Sequence, residues 1–531
     1  MFRDFLDCDY DAKSLLSFRM KIVIYFLSLG FLTIIIRLSW VSLGYLDLRS
    51  GTLEKDCIFR SPILDRHGLL LASSVPAFSL GARLGIVKNK TQTALEIHQT
   101  LPFLSQTDLL KKLSSPKKFT WLARKLSPAD KMKVQALGIE GLEFIEEQKR
   151  VYPYGSLCCH ILGLTDSEQE GISGIEKSLN HKLKISGQSI HLSVDVRLQN
   201  ALRHEMEQWL QEYQATAGNA ILANLQTGEI LAMVSLPDFD PQSPCSNPLA
   251  FFNRNTSGVY EFGSILKIHN VALFLDSNQG TLSTIFDASK PLSIGRFLVT
   301  DFRGQNRPMS VAEGFLYSSN IVNGKMALAV GGQKQLAFFK KIGFFHPVRT
   351  ELPEFARPLM PARWSQAQSI TASYGYGFAI TPLHIIQSLQ MLITGFYQPL
   401  TLLKKPTTTQ SSPALCMDPK ISQSLIHLLE KAVLEGQAKN AGTSYCKVGA
   451  KTGTANMLVG RRYQKNNNRT SCVVIFPIHK PKYVLLVTVD QAKPSAKTHH
   501  FATAGWVAAP LARRIVEKVV SFLALEDPLL R

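Results

Sequence analysis

Gly258-Val259-Tyr260-Glu261-Phe262-Gly263-Ser264-Ile265-Leu266-Lys267 is the stretch on which the reading of this chain turns. It sets a serine hydroxyl and a lysine amine three positions apart, a spacing that brings two side chains onto one face of a helix. If Ser264 opens a helix, Lys267 comes within hydrogen-bond reach of its hydroxyl, and Gly263 suits a sharp entry into that turn. A serine hydroxyl is a poor nucleophile at neutral pH. A lysine serves as its base only if burial or neighbouring cations lower the amine's pKa enough to keep it neutral. Ser-x-x-Lys alone carries little weight, because Ser114 to Lys117, Ser115 to Lys118 and Ser444 to Lys447 also fit it.

Two motifs downstream separate Ser264 from these decoys: Ser318-Ser319-Asn320, then Lys451-Thr452-Gly453. Ser318 is suited to relay a proton towards a leaving amine, and Asn320 to offer its amide to a substrate backbone or to Lys267. Lys451, beside a strand edge, and the hydroxyls of Thr452 and Thr454 suit a substrate carboxylate. The backbone amide of Ser264, with one from the strand after Lys451, would form an oxyanion hole. Together the motifs predict serine acyl transfer. The catalytic candidates are Ser264, Lys267, Ser318, Asn320 and Lys451, and the substrate-binding candidates are Thr452, Gly453 and Thr454.

With these boxes the chain resembles the class B penicillin-binding proteins, and among them the septal, FtsI-type peptidoglycan transpeptidases. The Ser264 stretch is similar to the family's Tyr-Glu-Pro-Gly-Ser-x-x-Lys box, with Phe262 where proline is usual. Arg60-Ser61-Pro62-Ile63-Leu64-Asp65-Arg66-His67-Gly68 resembles the Arg-Gly-x-Ile-x-Asp-Arg-Asn-Gly signature, with Ser61 and His67 substituted. Tyr152 to Gly155, His160 to Gly163, Gly171 to Glu176, Thr227 to Met233, Thr350 to Glu354, Tyr374 to Gly377 with Thr381 to Leu383, and Phe501 to Trp506 continue the likeness.

The resemblance implies a mixed α/β fold: a transpeptidase domain with a central antiparallel sheet flanked by helices, preceded by an α+β pedestal and one N-terminal transmembrane helix. It implies a D,D-transpeptidase acting on peptidoglycan stem peptides and acylated by β-lactam antibiotics. It also implies a SEDS-type glycosyltransferase and other division proteins as partners, a septal role with lateral-wall synthesis as the alternative, and a catalytic domain in the periplasm of a bacterial inner-membrane protein. No cofactor is expected.

Composition agrees with a globular chain of two or three domains: 531 residues, 45% of them apolar. Ile22 to Ile36 is an uncharged apolar run that resumes after Arg37, so Ile22 to Gly44 can cross roughly 30 Å of hydrocarbon as a helix, with Arg37 snorkelling. A cleaved signal peptide is the competing reading, since Ser42-Leu43-Gly44 offers small residues at a cleavage spacing. Lys13, Arg19 and Lys21 before the run are matched by Arg49, Lys55 and Arg60 after it, so charge sets no orientation; the resemblance places the short tail inside. The net charge of +19 is scattered and comes with no nucleic-acid motif; it fits anionic wall polymers, lipid headgroups or a plain solvated surface. The eight cysteines include no Cys-x-x-Cys pair, so zinc is not expected, and the adjacent Cys158 and Cys159 read as core residues.

The predicted organisation is a cytoplasmic tail over 1–21, an anchor over 22–44, a non-catalytic pedestal over 45–190 and the transpeptidase domain over 191–531. Asn219 to Leu225 and Glu229 to Ser235 read as strands around a Gln226-Thr227-Gly228 turn, with a second pair over Ser471 to Phe476 and Tyr483 to Asp490. Ile268 to Asp276, Ile321 to Val330 and Trp506 to Leu525 read as helices, and Lys404 to Pro413 as a loop. A β-lactamase or penicillin sensor would use the same serine but needs a glutamate to activate water, and no Glu-x-x-x-Asn follows Glu351 or Glu354. A non-enzymatic scaffold does not require three intact boxes.

Overall fold

The computed structural model describes residues 20–39, 60–185, 187–295, 297–406, 415–459 and 462–530. The chain divides into Met1–Ile58 and Phe59–Arg531. In the first unit Met20–Ser39 is a helix of 20 residues, long and apolar enough to cross a membrane, with none of its side chains buried. The predicted end of the span at 40–44, the tail over 1–19, Cys8 and Cys57 lie outside the described residues.

The second unit begins with a sheet built around the 14-residue strand Leu70–Arg83, which pairs antiparallel with both Phe119–Leu126 and Leu142–Val151. Helices Lys90–Thr100, Gln106–Leu113 and Pro128–Gln135 begin at Asn89, Ser105 and Ser127, whose side chains accept from the first-turn amides. They bury Ile97, Leu109 and Leu113 with Leu80 of the long strand. Glu176 is fully buried between two arginines: Arg60 donates to it at 2.6 Å and Arg150 at 2.7 Å. Both guanidiniums also donate to backbone carbonyls, Arg60 to Gln169 and Glu176, Arg150 to Arg60 and Ser61. Glu176→Leu would strand both cations, a loss of about 3–5 kcal/mol, read as a lowered urea midpoint; an unchanged midpoint would contradict this account.

Ile190–His191 pairs parallel with Ile63–Leu64, Leu192 then makes an isolated bridge to Leu403, and the Asp195 amide donates to the Leu231 carbonyl at 2.9 Å. The second sheet is antiparallel throughout, in the order Gly449–Val459, Arg462–Phe476, Tyr483–Asp490, Ala217–Asn224, Ile230–Leu236. Its three last strands are buried at every residue, which requires cover on both faces. Helices Val196–Glu212 and Ala508–Leu523 pack against it, as do Pro382–Thr394 and Pro419–Leu434. Both predicted strand pairs and all three predicted helices are present, the first hairpin turning at Gly228 with φ +74°. Arg462–Phe476 runs well upstream of Ser471 because ladder pairing with Gly449–Val459 continues through polar residues that carry no apolar alternation. Of the predicted loop, 407–413 lies outside the described residues. His160 donates from Nε2 to the Ala250 carbonyl at 2.7 Å, tying the first module to the second. Cys158 and Cys159 are buried.

Candidate active site

Ser264 sits in a single 3-10 turn, Gly263–Leu266, and the α-helix proper starts at Lys267 and runs to Asp276. Lys267 is fully buried, and its Nζ lies 2.5 Å from the Ser318 carbonyl oxygen, 2.8 Å from Asn320 Oδ1 and 3.1 Å from Ser318 Oγ. The hydrogen bond expected between Lys267 and Ser264 is not formed. Three oxygens from the second motif surround the nitrogen, as many as the charged form has N–H donors and one more than the neutral amine has. The half-buried Ser264 hydroxyl has no hydrogen-bond partner among the described residues.

Ser318 adopts φ +56°, the left-handed region that costs a non-glycine residue about 1–3 kcal/mol and persists where neighbouring contacts enforce it. In this conformation its Oγ sits 3.1 Å from Lys451 Nζ as well as 3.1 Å from Lys267 Nζ. Two ammonium groups on one half-buried oxygen repel. Burial, reinforced by the Lys451 charge, drives the Lys267 pKa far below the usual lysine range, against the opposing pull of Asp301. Burial brings Lys451 down only to about 8, so Lys451 keeps the proton at neutral pH. A neutral Lys267 has two N–H groups, enough for the Ser318 carbonyl and Asn320 Oδ1, and one lone pair left for a hydroxyl proton. The Asn320 orientation is settled by its Nδ2, which donates to the Thr300 carbonyl at 2.9 Å.

Strand Gly449–Val459 lies at the sheet edge and meets the nucleophile turn backbone to backbone. A Cβ on Gly453 would fall 2.3 Å from the Phe262 carbonyl oxygen, and one on Gly263 (φ +53°) 2.6 Å from that of Thr454. Gly375, at φ +86°, approaches from the other side, where a Cβ would stand 2.1 Å from the Gly263 oxygen. Strand alternation puts Thr452 and Thr454 on one face and Lys451 on the other. Thr454 Oγ1 accepts from the Ala504 amide at 2.9 Å and keeps its own proton to donate.

Several contributors are not among the predicted site residues, although Glu261 and Tyr376 lie in segments that resemble the family. Tyr376 donates to the Thr454 carbonyl at 3.5 Å and accepts from the Asn456 amide at 3.2 Å, clamping the edge strand. Glu261, whose pKa burial raises, accepts from the Gly377 amide and from the Tyr463 hydroxyl. Asp301 and Thr300 grip the second motif from a distant loop, and only the fold brings them there. Phe262, the substituted proline position, is buried against Tyr260.

The decoy pairs lack this setting: Ser114, Lys117, Lys118, Ser444 and Lys447 are exposed, and Ser115 is half-buried. Glu351 accepts from Thr401 and the Leu402 amide, and Glu354 from Asn253 and Thr256, so both carboxylates are engaged in the scaffold. A cavity of about 530 Å³ bounded by Leu157, Val196, Ala201 and Phe522 includes none of the motif residues.

Residues 218–517 match the family described as penicillin binding protein transpeptidase domain, a range that takes in all three motifs. The chain belongs to that family. Residues 59–221 match the penicillin-binding protein dimerisation domain, the module that carries the Arg60–Glu176–Arg150 cluster. This transpeptidase-family chain is 31% identical to a protein named probable peptidoglycan D,D-transpeptidase FtsI from Caulobacter vibrioides, over 88% of this chain and 82% of that one. It is 28% identical to the probable peptidoglycan D,D-transpeptidase PenA of Neisseria gonorrhoeae, over 88% and 85% of the two. Its fold is that of penicillin binding protein 2X from Streptococcus thermophilus, with a TM-score of 0.70 at 18% identity over 88% of this chain and 80% of that structure.

Proposed function

We propose that this chain is a septal peptidoglycan D,D-transpeptidase working through a Ser264 acyl-enzyme. The observation that carries the mechanism is the buried Lys267 amine, held by Ser318 and Asn320 with Lys451 on the same Ser318 oxygen. Neutral Lys267 takes the Ser264 proton as Oγ attacks the carbonyl of the penultimate D-Ala. The Ser264 amide and one from the edge strand receive the oxyanion. The proton then passes by way of Ser318 Oγ to the nitrogen of the departing D-Ala, and the C–N bond breaks to leave the Ser264 ester. An amine of a second stem peptide attacks that ester, gives its proton back along the same path to Ser264, and the crosslink forms. The hydroxyls of Thr452 and Thr454 on one face of the edge strand hold the terminal carboxylate, charged Lys451 on the other face attracts it through its charge, and Gly453 lets the strand approach the reacting bond.

The arrangement around the site gives the rest of the proposal. The anchor over 22–44, supported by the apolar helix Met20–Ser39, holds the chain in the bacterial inner membrane, the tail before it is cytoplasmic, and the pedestal over 45–190 carries the catalytic domain over 191–531 in the periplasm. The end of the first sheet's pairing at His191, followed by the Asp195 amide's bond to the Leu231 carbonyl, supports that joint. A SEDS-type glycosyltransferase beside the membrane helix would supply glycan strands for crosslinking. β-Lactams mimic the acyl donor and acylate Ser264.

Glu351 and Glu354, two of the four glutamates between the second and third motifs, are engaged in the scaffold, and neither Glu430 nor Glu435 opens a Glu-x-x-x-Asn, so the penicilloyl ester is expected to persist for minutes to hours. Mass spectrometry of the penicillin-treated protein after gel filtration tests this. Rapid return to the unmodified mass with product penicilloate would establish β-lactamase chemistry instead.

A further inference from the structure

We propose that Asp301 is a positioning residue for acyl transfer, its carboxylate locking the second motif so that Ser318 holds its hydroxyl between the two lysines. Asp301 Oδ1 accepts from the amides of Asn320 at 2.6 Å and Ile321 at 3.1 Å, and Oδ2 accepts from the Ser319 hydroxyl at 2.7 Å. Its neighbour Thr300 adds the carbonyl that orients the Asn320 side chain. Three successive residues are thereby fixed immediately after Ser318, whose left-handed backbone needs such support. The helix Asn320–Val330 is capped by Ser319 through the Val322 amide, and Asp301 satisfies two more of its first-turn amides while also holding the Ser319 hydroxyl. From below, Asn270 donates to both oxygens of Asn323, and Asn323 donates to the Ser319 carbonyl, joining the Lys267 helix to the same turn.

Asp301 also reaches Lys267 electrostatically. Lys451 from the edge strand and Asp301 from its loop are the charged groups that act on the amine; the cation disfavours its protonated form and the carboxylate favours it. Removing the carboxylate charge therefore lowers the Lys267 pKa and leaves the base neutral at lower pH. Asp301 thus sets both where the second motif stands and where the base titrates.

This inference rests on Lys267 acting as the base for Ser264. The test measures the second-order rate of acylation by a fluorescent penicillin as a function of pH, on the full-length protein in detergent micelles. Wild type, Asp301→Asn and Asp301→Ala are compared, and the labelled peptide is mapped in each. The wild-type profile, with label on Ser264 and a rate that falls on acidification, checks the underlying reading by itself. Asp301→Ala, which removes all three contacts, is expected to acylate on the order of 10²-fold more slowly, the scale of a small misplacement of reacting groups. Asp301→Asn keeps an oxygen for the two backbone amides, exchanges the acceptor facing the Ser319 hydroxyl for an NH2 donor and loses the charge, and its acidic limb is expected to move to lower pH. A purely structural role would change the rate without moving that limb. An Asp301→Ala rate within about threefold of wild type, far short of that misplacement cost, would overturn the proposal, and so would an Asp301→Asn limb that coincides with the wild-type one.

Discussion

Lys267→Arg is expected to slow acylation of Ser264 by at least about 10²-fold, the lower end of what a general base contributes. If Lys267 supplied only positive charge, arginine would preserve it, since a guanidinium stays protonated below about pH 12. A base must instead spend part of its time neutral. The site is built for that: Lys267 is fully buried, its pKa lies far below the usual lysine range, and the proton on the shared Ser318 oxygen is better kept by Lys451, at about 8. The same reasoning fixes the sign of the pH dependence. Lowering pH protonates Lys267, removes its lone pair and slows the wild-type enzyme, whereas the arginine variant should lack that limb. Stopped-flow acylation by a chromogenic cephalosporin measures both quantities. An arginine variant that acylates within about tenfold of wild type, less than a general base accounts for, would move the base to Ser318 and its neighbours.

The chemistry of the site was legible in the sequence because its nucleophile, amine and hydroxyls lie in three short motifs whose spacing survives without tertiary context. Strand and helix assignments around Gln226-Thr227-Gly228, Tyr483–Asp490 and Lys267–Asp276 followed from apolar periodicity, since each element buries most of its residues. What spacing could not foretell is who bonds to whom. Three positions on a helix permit a Lys267 to Ser264 contact, yet the amine turns to oxygens that arrive from Ser318 and Asn320, far along the chain. The left-handed Ser318, the close backbone approach at Gly453 and the grip of Asp301 are likewise products of folding. So is the extension of Arg462–Phe476 into a polar ladder, where backbone pairing rather than side-chain burial holds the strand.

The central claim is that Ser264 is the residue acylated, and its most direct test is to incubate the full-length protein with fluorescent penicillin, digest it and identify the labelled peptide. The account predicts a single adduct on Ser264. It also predicts that Ser264→Ala takes up no label while unfolding at the wild-type midpoint, because the half-buried hydroxyl has no hydrogen-bond partner among the described residues. Label on any other serine, whether Ser318 within the site or the exposed Ser114 or Ser444, or undiminished labelling of a folded Ser264→Ala protein, would contradict it.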